Sequence, residues 1–278
     1  MAKAWEELEN KCFEHVKTSF GHAAVIEAYG KADSTKADIR VAAPSGDFFV
    51  EVKAKSSQCC QFVLFPDDET GSFEFSDRNK VPLTPSCQKI IDHMNQNYDK
   101  YSRVGKKPIP INVESSVFYG LVDEFYSAKN VKCFMTEGEE IMIFPAAKFP
   151  EYFEIAGFYR RKNSGSSEPN EAKNHAEIIQ GLADYGIEGD VVYQSVSGKI
   201  RCLLHTDAKL DGQRMMCDEY TYQFKDNPHS QKVTKQKQHV FEVRRLSNTS
   251  NPNVICQLTL KKHQQDKDDL AAFEALLK

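Results

Sequence analysis

The heptapeptide FFVEVKA, residues 48–54, constrains the fold of this chain more than any other segment. Its β-branched and aromatic residues favour a strand, whose alternation places Glu51 and Lys53 on one face and Val50 and Val52 on the other. Upstream, residues 39–41 also alternate, and the tetrapeptide PSGD that lies between the two runs has turn chemistry. These features predict an antiparallel hairpin with a carboxylate and an ammonium group side by side on one face.

The turn also predicts which residues of the hairpin lie opposite each other. A four-residue turn over Pro44–Asp47 pairs Asp38 with Lys53. Glu51 is then a diagonal neighbour of Asp38 on the same face, and such neighbours lie roughly 7 Å apart between backbones. Two acids and a lysine are therefore expected to converge.

This convergence predicts a magnesium centre with Asp38, Glu51 and Lys53 as the catalytic residues. Asp38, Glu51 and Val52 are the predicted metal ligands, because Mg²⁺ prefers oxygen ligands and needs only one or two protein carboxylates beside water and substrate phosphate. Lys53 would orient or help deprotonate the attacking water and would offset charge that grows on the phosphate. Glu9, in the first helix, is a weaker candidate for an additional carboxylate.

A structural interpretation of the same residues stays open. Glu51 and Lys53 also fit a surface salt bridge on an exposed strand face, which is a very common arrangement. The pattern of an aspartate followed by E-x-K is short and has many accidental matches. On spacing alone, the salt bridge is the better interpretation.

Composition limits the classes of protein to which this chain can belong. With 278 residues it can bury a substantial core, and its eight cysteines include no CxxC pair, so reduced thiols are expected rather than disulfides or a zinc knuckle. The net charge of −4 restricts any nucleic-acid surface to local basic clusters, and no histidine has metal-ligand spacing. No signal peptide or membrane-spanning segment is apparent, so we expect a cytoplasmic protein with no membrane partner.

The remaining periodicity predicts an α/β (α+β) fold, with a mixed central sheet flanked by helices and with additional C-terminal strands and a closing helix. Helices are expected over residues 4–20, 117–129 and 171–185 and over the last residues of the chain. A further helix is expected to start at the cap Thr84-Pro85. A second hairpin is expected around residues 137–139. No period is apparent between residues 189 and 238. The predicted division is a catalytic core at 1–158 and a recognition portion at 159–278, whose strands complete the fold within one compact domain overall.

The predicted hairpin, which follows an amphipathic helix and has an apolar opposite face, resembles that of the PD-(D/E)XK nucleases. In that fold a helix precedes a mixed sheet, and the second and third strands carry the acid, the second acid and the lysine. The resemblance therefore assigns Asp38, Glu51 and Lys53 to these three positions. With this context, the functional interpretation outweighs the salt bridge.

Longer strings indicate a narrower family. SQCCQFVL at 57–64, IFP at 143–145, YRRKNSGS at 159–166 and LSNT at 246–249 occur in the order in which they occur in the HhaI-like type II restriction endonucleases. The resemblance covers most of the chain to Tyr185 and again from Val243, but not residues 186–238. It implies magnesium-dependent cleavage of double-stranded DNA at a short site related to GCGC, without a nucleotide cofactor, and a cognate methyltransferase that protects host DNA.

A restriction enzyme needs phosphate contacts to position the duplex and base contacts to choose the site. The segment YRRKNSGSSEPN, at 159–170, is expected to be a flexible basic loop that reads guanines in the major groove. The predicted DNA-binding residues are Gln58, Gln61, Arg160, Arg161, Lys162, Ser164, Ser166, Asn248 and Asn251. The alternative for each cluster is a solvated charged surface, which is the better interpretation for Lys232–Lys237 and an equal one for Arg103–Lys107.

Two other functions fit the hairpin. A structure-selective repair or junction nuclease of the same superfamily would prefer branched DNA to any linear sequence. A DNA-binding protein without catalysis would keep the three charged residues only as a salt-bridged cluster.

Overall fold

The computed structural model describes residues 4–30, 36–163, 165–196, 199–226, 239–247 and 250–278. Contacts divide the chain into two compact units: the first contains the described residues up to Arg161 together with Pro252–Lys278, and the second is Lys162–Asn251. The sequence places a boundary three residues earlier, after 158, and groups the C-terminal residues with the recognition portion. In the structure, residues 252–278 belong with the first unit.

The described helices and strands follow in one order along the chain. They are α1 Ala4–Phe20, β1 Val25–Ala28, β2 Ile39–Ala43, β3 Gly46–Val52, β4 Ser56–Asp67, β5 Ser72–Phe75, α2 Pro85–Gln96, α3 Tyr98–Tyr101, β6 Ile109–Pro110, α4 Ser115–Ser127, β7 Val131–Glu137, β8 Ile141–Pro145, a 3₁₀ turn at Ala146–Lys148, α5 Phe149–Tyr152, β9 Phe153–Asn163, β10 Ser166–Ser167, α6 Glu171–Asp184, β11 Asp190–Val196, β12 Lys199–Thr206, β13 Arg214–Met216, β14 Thr221–Asp226, β15 His239–Leu246, β16 Ser250–Leu260 and α7 Lys267–Leu276. No described helix is both long enough and apolar enough to cross a bilayer.

The first unit is built on a five-stranded mixed sheet in the order β1-β2-β3-β7-β8. β2 and β3 form the predicted antiparallel hairpin, and β3 pairs with β7 in parallel. Val50 and Val52 pack with Val16 of α1 and Phe273 of α7 on one face of this sheet. Phe49, one residue along the strand from Val50, packs into the separate core on the opposite face. The predicted mixed sheet flanked by helices is confirmed.

A second sheet of the first unit has the order β5-β4-β16-β9-β6. β4 continues from the hairpin, and β16 pairs with it in antiparallel fashion, with Cys256 opposite Cys59 and Gln257 opposite Gln58. β16, which lies near the C-terminus, therefore pairs with β4, the strand that begins four residues after Val52.

Several local predictions are confirmed. α2 begins at Pro85, and the Thr84 hydroxyl accepts a hydrogen bond of 3.2 Å from the Cys87 amide. The predicted hairpin around residues 137–139 is formed by β7 and β8, and the closing helix is α7.

The hairpin register differs from its prediction. Ala43 pairs with Gly46, so the turn contains only Pro44 and Ser45, and Ile39 pairs with Val50. Gly46 has a φ of +123°, a conformation that glycine adopts without a Cβ clash, and this allows the chain to reverse over two residues instead of four. The placement of Asp38 opposite Lys53 is therefore wrong.

The second unit contains a six-stranded sheet in which β11, β12, β15, β14 and β13 follow one another and β10 pairs with β15. Ile178 of α6 packs with Leu204, Tyr222 and Val243 of this sheet. Residues 189–238, for which the sequence shows no period, contain the four strands β11 to β14 among the part that the structure describes.

Candidate active site

Asp38 and Glu51 come together at the end of the hairpin despite the changed register. Asp38 lies just before β2, and its Oδ2 accepts a hydrogen bond of 2.7 Å from the Val52 amide. Oε1 of Glu51 accepts a 2.5 Å hydrogen bond from Nζ of Lys53, which shares its strand face. The three predicted catalytic residues thus form one connected group.

The Glu51–Lys53 pair is nearly buried. The side chain of Glu51 is 8% exposed and that of Lys53 is 12% exposed, so the pair is not the surface salt bridge of the structural interpretation. Oε2 of Glu51 is buried and has no hydrogen-bond partner. A buried carboxylate oxygen without a partner is costly for a folded protein, which makes this atom a candidate ligand for a cation.

Burial shapes the protonation of the group. Desolvation by burial and then the charge of Glu51 raise the pKa of Asp38 to about 6, although Lys53 opposes this. Burial alone would lower the pKa of Lys53, but Glu51 and Asp38 together raise it above its usual value. Lys53 therefore stays an ammonium at neutral pH, while burial and the neighbouring Glu51 carboxylate hold the pKa of Asp38 above its usual value.

The residues present fit Mg²⁺ better than a cation that needs a complete protein shell. Among the described residues, no group of three or more histidine, cysteine or acidic side chains has metal-binding geometry. Mg²⁺ needs only one or two carboxylates, and it takes its remaining ligands from backbone carbonyls, water and substrate phosphate. Asp38, Glu51 and the backbone of Val52 could hold such an ion.

Glu9 of α1 lies within electrostatic range of this group. Its pKa is raised to about 7 by burial, then by the charges of Asp38 and Glu51. Glu9 therefore lies near Asp38 and Glu51, as the sequence allowed, although the three acids do not form a cluster with metal-binding geometry.

Two glutamines predicted to bind DNA lie on β4, the strand that follows β3 along the chain. Oε1 of Gln58 accepts a 3.2 Å hydrogen bond from Nη2 of Arg160, which reaches from β9 across the intervening β16. Nε of Arg160 is buried without a hydrogen-bond partner. Gln61 donates a 2.7 Å hydrogen bond to Oδ1 of Asn253. The structure thus brings Gln58 and Arg160 together.

The predicted flexible loop at 159–170 is mostly regular structure. β9 continues to Asn163, Ser166 and Ser167 form β10, and Asn170 caps α6 by accepting a 3.2 Å hydrogen bond from the Lys173 amide. The loop prediction is wrong because the alternating apolar residues of β9 pack into the core and extend the strand through the basic segment.

The other predicted DNA-binding residues have different surroundings. Arg161 is exposed, but its Nε donates a 3.0 Å hydrogen bond to the Val104 carbonyl, which places it beside the basic Arg103–Lys107 segment. Lys162 is also exposed. Oγ of Ser166 accepts a 3.2 Å hydrogen bond from Nε of Arg244, in the second unit. Asn251 is half-buried in β16, whereas Ser164 and Asn248 lie outside the described residues.

Two residues near the predicted catalytic group of Asp38, Glu51 and Lys53 were not predicted as site residues. The ring of Tyr126, at the end of α4, has Nζ of Lys53 5.2 Å from its centroid. Nζ of Lys129 lies 5.2 Å from the same centroid. The available signal was that α4 ends immediately before β7, but only the parallel pairing of β7 with β3 brings this end beside Glu51.

Comparison with solved structures gives a match along the whole chain. The structure is similar to that of HhaI endonuclease in complex with DNA, with a TM-score of 0.85, 31% sequence identity and coverage of 99% of each chain. The match extends over residues 186–238, which the resemblance in sequence does not cover. No protein-family model matches the chain, and no curated protein matches it significantly.

Proposed function

Because this chain belongs to the HhaI-like restriction endonucleases, we propose that it hydrolyses double-stranded DNA at a short specific site with Mg²⁺ as its cofactor. The family makes it a DNA-cleaving enzyme, while the metal, the target sequence and the catalytic residues are our proposal. The observation that carries the proposal is the convergence of Asp38 and Glu51 beside the nearly buried Lys53, with one Glu51 oxygen left without a partner.

In the proposed reaction each residue of the group has a separate task. Asp38, Glu51 and the backbone of Val52 would bind Mg²⁺, which when bound supplies Lewis-acid polarisation of the phosphate and a water of lowered pKa. The hydrogen bond from the Val52 amide keeps the Asp38 carboxylate oriented before substrate arrives. Lys53, as an ammonium group, orients the attacking water and donates to the phosphate oxygens as their charge grows.

DNA contacts are proposed on the basic and amide side chains described above. Arg160, which is held by Gln58, is suited to donate to a guanine edge, whereas Arg161 and Lys162 are suited to phosphates. Gln61, Ser164, Ser166, Asn248 and Asn251 complete the proposed DNA-binding set. We propose a target related to GCGC and a cognate methyltransferase that protects the host, as part of a restriction–modification system.

Digestion of plasmid DNA tests this function. With Mg²⁺ the protein should produce discrete fragments whose mapped ends share one short sequence, and Ca²⁺ in its place should support binding without cleavage. Prior methylation of GCGC sites should protect the plasmid if the target is related to that sequence.

Other outcomes would identify another function. A smear or preferential cutting of branched over linear duplexes would indicate a non-specific or structure-selective nuclease. Binding without cleavage in Mg²⁺ or Mn²⁺ would indicate a DNA-binding protein whose charged group is only structural.

A further inference from the structure

Lys129 lies beside the catalytic group at the end of α4. Its Nζ is 4.2 Å from the centroid of the Phe125 ring and 5.2 Å from that of Tyr126. Nζ of Lys53 is also 5.2 Å from the Tyr126 centroid. Two ammonium groups therefore contact one buried aromatic ring, whose negative face offsets part of their mutual repulsion.

The backbone on which Lys129 sits is tied directly to the catalytic strand. Asn130 adopts a left-handed conformation with φ +54°, which asparagine tolerates better than most residues. Its side-chain amide donates to the Asp47 carbonyl at 2.9 Å, and its carbonyl accepts from the Phe49 amide at 3.1 Å. The Lys129 amide in turn donates to the Tyr126 carbonyl at 3.0 Å. These contacts hold the position of Lys129 relative to β3, the strand that carries Glu51.

The electrostatic surroundings of Lys129 are those of the active site. Burial lowers its pKa, Glu51 and Asp38 raise it, and Lys53 lowers it further. Burial and the charge of Lys53 disfavour the ammonium form of Lys129, and an anion placed near it stabilises that form. The anion that a nuclease brings to this place is a DNA phosphate.

We propose that Lys129 is a second phosphate-binding cation of the active site. It contacts a phosphate of the DNA strand to be cut and so keeps the reacting phosphate of that strand next to Lys53. This rests on the proposed nuclease function. Lys53 and Lys129 then have different roles: Lys53 acts on the reacting phosphate beside Glu51, and Lys129 positions the strand on which that phosphate lies.

The test compares Lys129→Met with Lys132→Met, which removes one positive charge from an exposed site on the next strand. In Ca²⁺, the plot of log affinity against log salt should lose about 0.9 of its slope in Lys129→Met, the value for one phosphate contact. Lys132→Met should keep the wild-type slope. In Mg²⁺, single-turnover cleavage should fall roughly 100-fold in Lys129→Met, as for loss of one charge-stabilising donor.

A chemical change in the DNA checks the contact independently of packing. Methylphosphonates, which are neutral, would replace single phosphates of the cut strand in turn. At the phosphate that Lys129 contacts, the replacement should slow cleavage by the wild-type protein but should not slow cleavage by Lys129→Met any further. Lys129→Arg should retain most activity, and Lys129→Gln serves as a second neutral variant if methionine lowers the melting temperature.

The proposal is overturned if both neutral variants keep the wild-type salt slope and cleavage rate, or respond to every methylphosphonate as wild type does. Failure of the proposed function gives a different result, since wild type and Lys132→Met would then also fail to cut DNA.

Discussion

The carboxylate of Asp38 accepts a 2.7 Å hydrogen bond from the backbone amide of Val52, the residue between Glu51 and Lys53. This bond joins the start of β2 to the end of β3. The Val52 amide orients the carboxylate of Asp38, and Val52 is the neighbour of Glu51 on β3. The two acids therefore keep their separation whenever the hairpin is folded. The carboxylates are therefore pre-positioned, which is the condition for efficient electrostatic catalysis.

Replacing Lys53 by Ala should reduce cleavage by at least about 100-fold, because the ammonium that stabilises charge on the phosphate is lost. DNA binding in Ca²⁺ should stay close to wild type. Single-turnover cleavage and fluorescence anisotropy measure the two effects. Lys55→Ala removes an exposed lysine two residues further on and is the matched control. Wild-type cleavage by Lys53→Ala would contradict its catalytic role.

Glu51→Gln should weaken metal binding and abolish cleavage, since an amide oxygen is a poorer Mg²⁺ ligand than a carboxylate. Titration of Mn²⁺ into the complex with uncleavable DNA, followed by calorimetry, measures the affinity. Glu74→Gln changes an exposed glutamate of β5 and should bind metal as wild type does. If Glu51→Gln cuts DNA at the wild-type rate, the metal assignment is wrong.

In the metal-free protein, the Asp38 carboxyl group should lower the free energy of unfolding as pH rises from about 4 to 6. The folded protein raises the pKa of Asp38 from its usual value to about 6, so the folded state holds this proton more tightly than the unfolded state. The carboxylate is charged in both states above pH 6, where its burial together with the repulsion from Glu51 costs roughly 3 kcal/mol after the opposing effect of Lys53. Denaturant unfolding at several pH values should show a smaller decrease for Asp38→Asn than for wild type.

Mg²⁺ should oppose this loss of stability. Its binding requires the deprotonated carboxylates, so the increase in melting temperature that Mg²⁺ produces should be larger at pH 8 than at pH 5. An increase of equal size at both values would contradict the proposed ligands.

Gly46→Ala should lower the free energy of unfolding by about 1–3 kcal/mol, because alanine is strained at a φ of +123°. Gly105→Ala is the matched control, since a Cβ there meets no atom within 4 Å and the backbone is not left-handed. Urea unfolding of both variants measures the difference. Equal stability of the two would show that the two-residue turn does not depend on this glycine.

Arg160→Ala should reduce discrimination against one altered base pair by about 1–3 kcal/mol, if Arg160 reads a guanine. Lys162→Ala should instead weaken binding to all sequences alike and lower the salt dependence. Competition binding with single-substituted duplexes separates the two effects. Unchanged discrimination by Arg160→Ala would indicate that its bond to Gln58 is only structural.

The sequence by itself determined the features that depend on neighbouring residues. Strand alternation places Glu51 and Lys53 on one face and Val50 and Val52 on the other, as the structure also has them. Thr84 and Pro85 start a helix because a cap acts within one turn. The ordered strings such as SQCCQFVL indicated the family that the comparison confirms.

Only the tertiary structure decided the relationships between distant residues. The hairpin register depends on how Gly46 closes the turn. Lys129 lies near Lys53 because β7 pairs with β3 in parallel. Arg160 reaches Gln58 because only β16 lies between their strands. None of these follows from local periodicity: the register depends on the positive φ of Gly46, and the other two relationships depend on strands that are far apart in the chain and meet only when it folds.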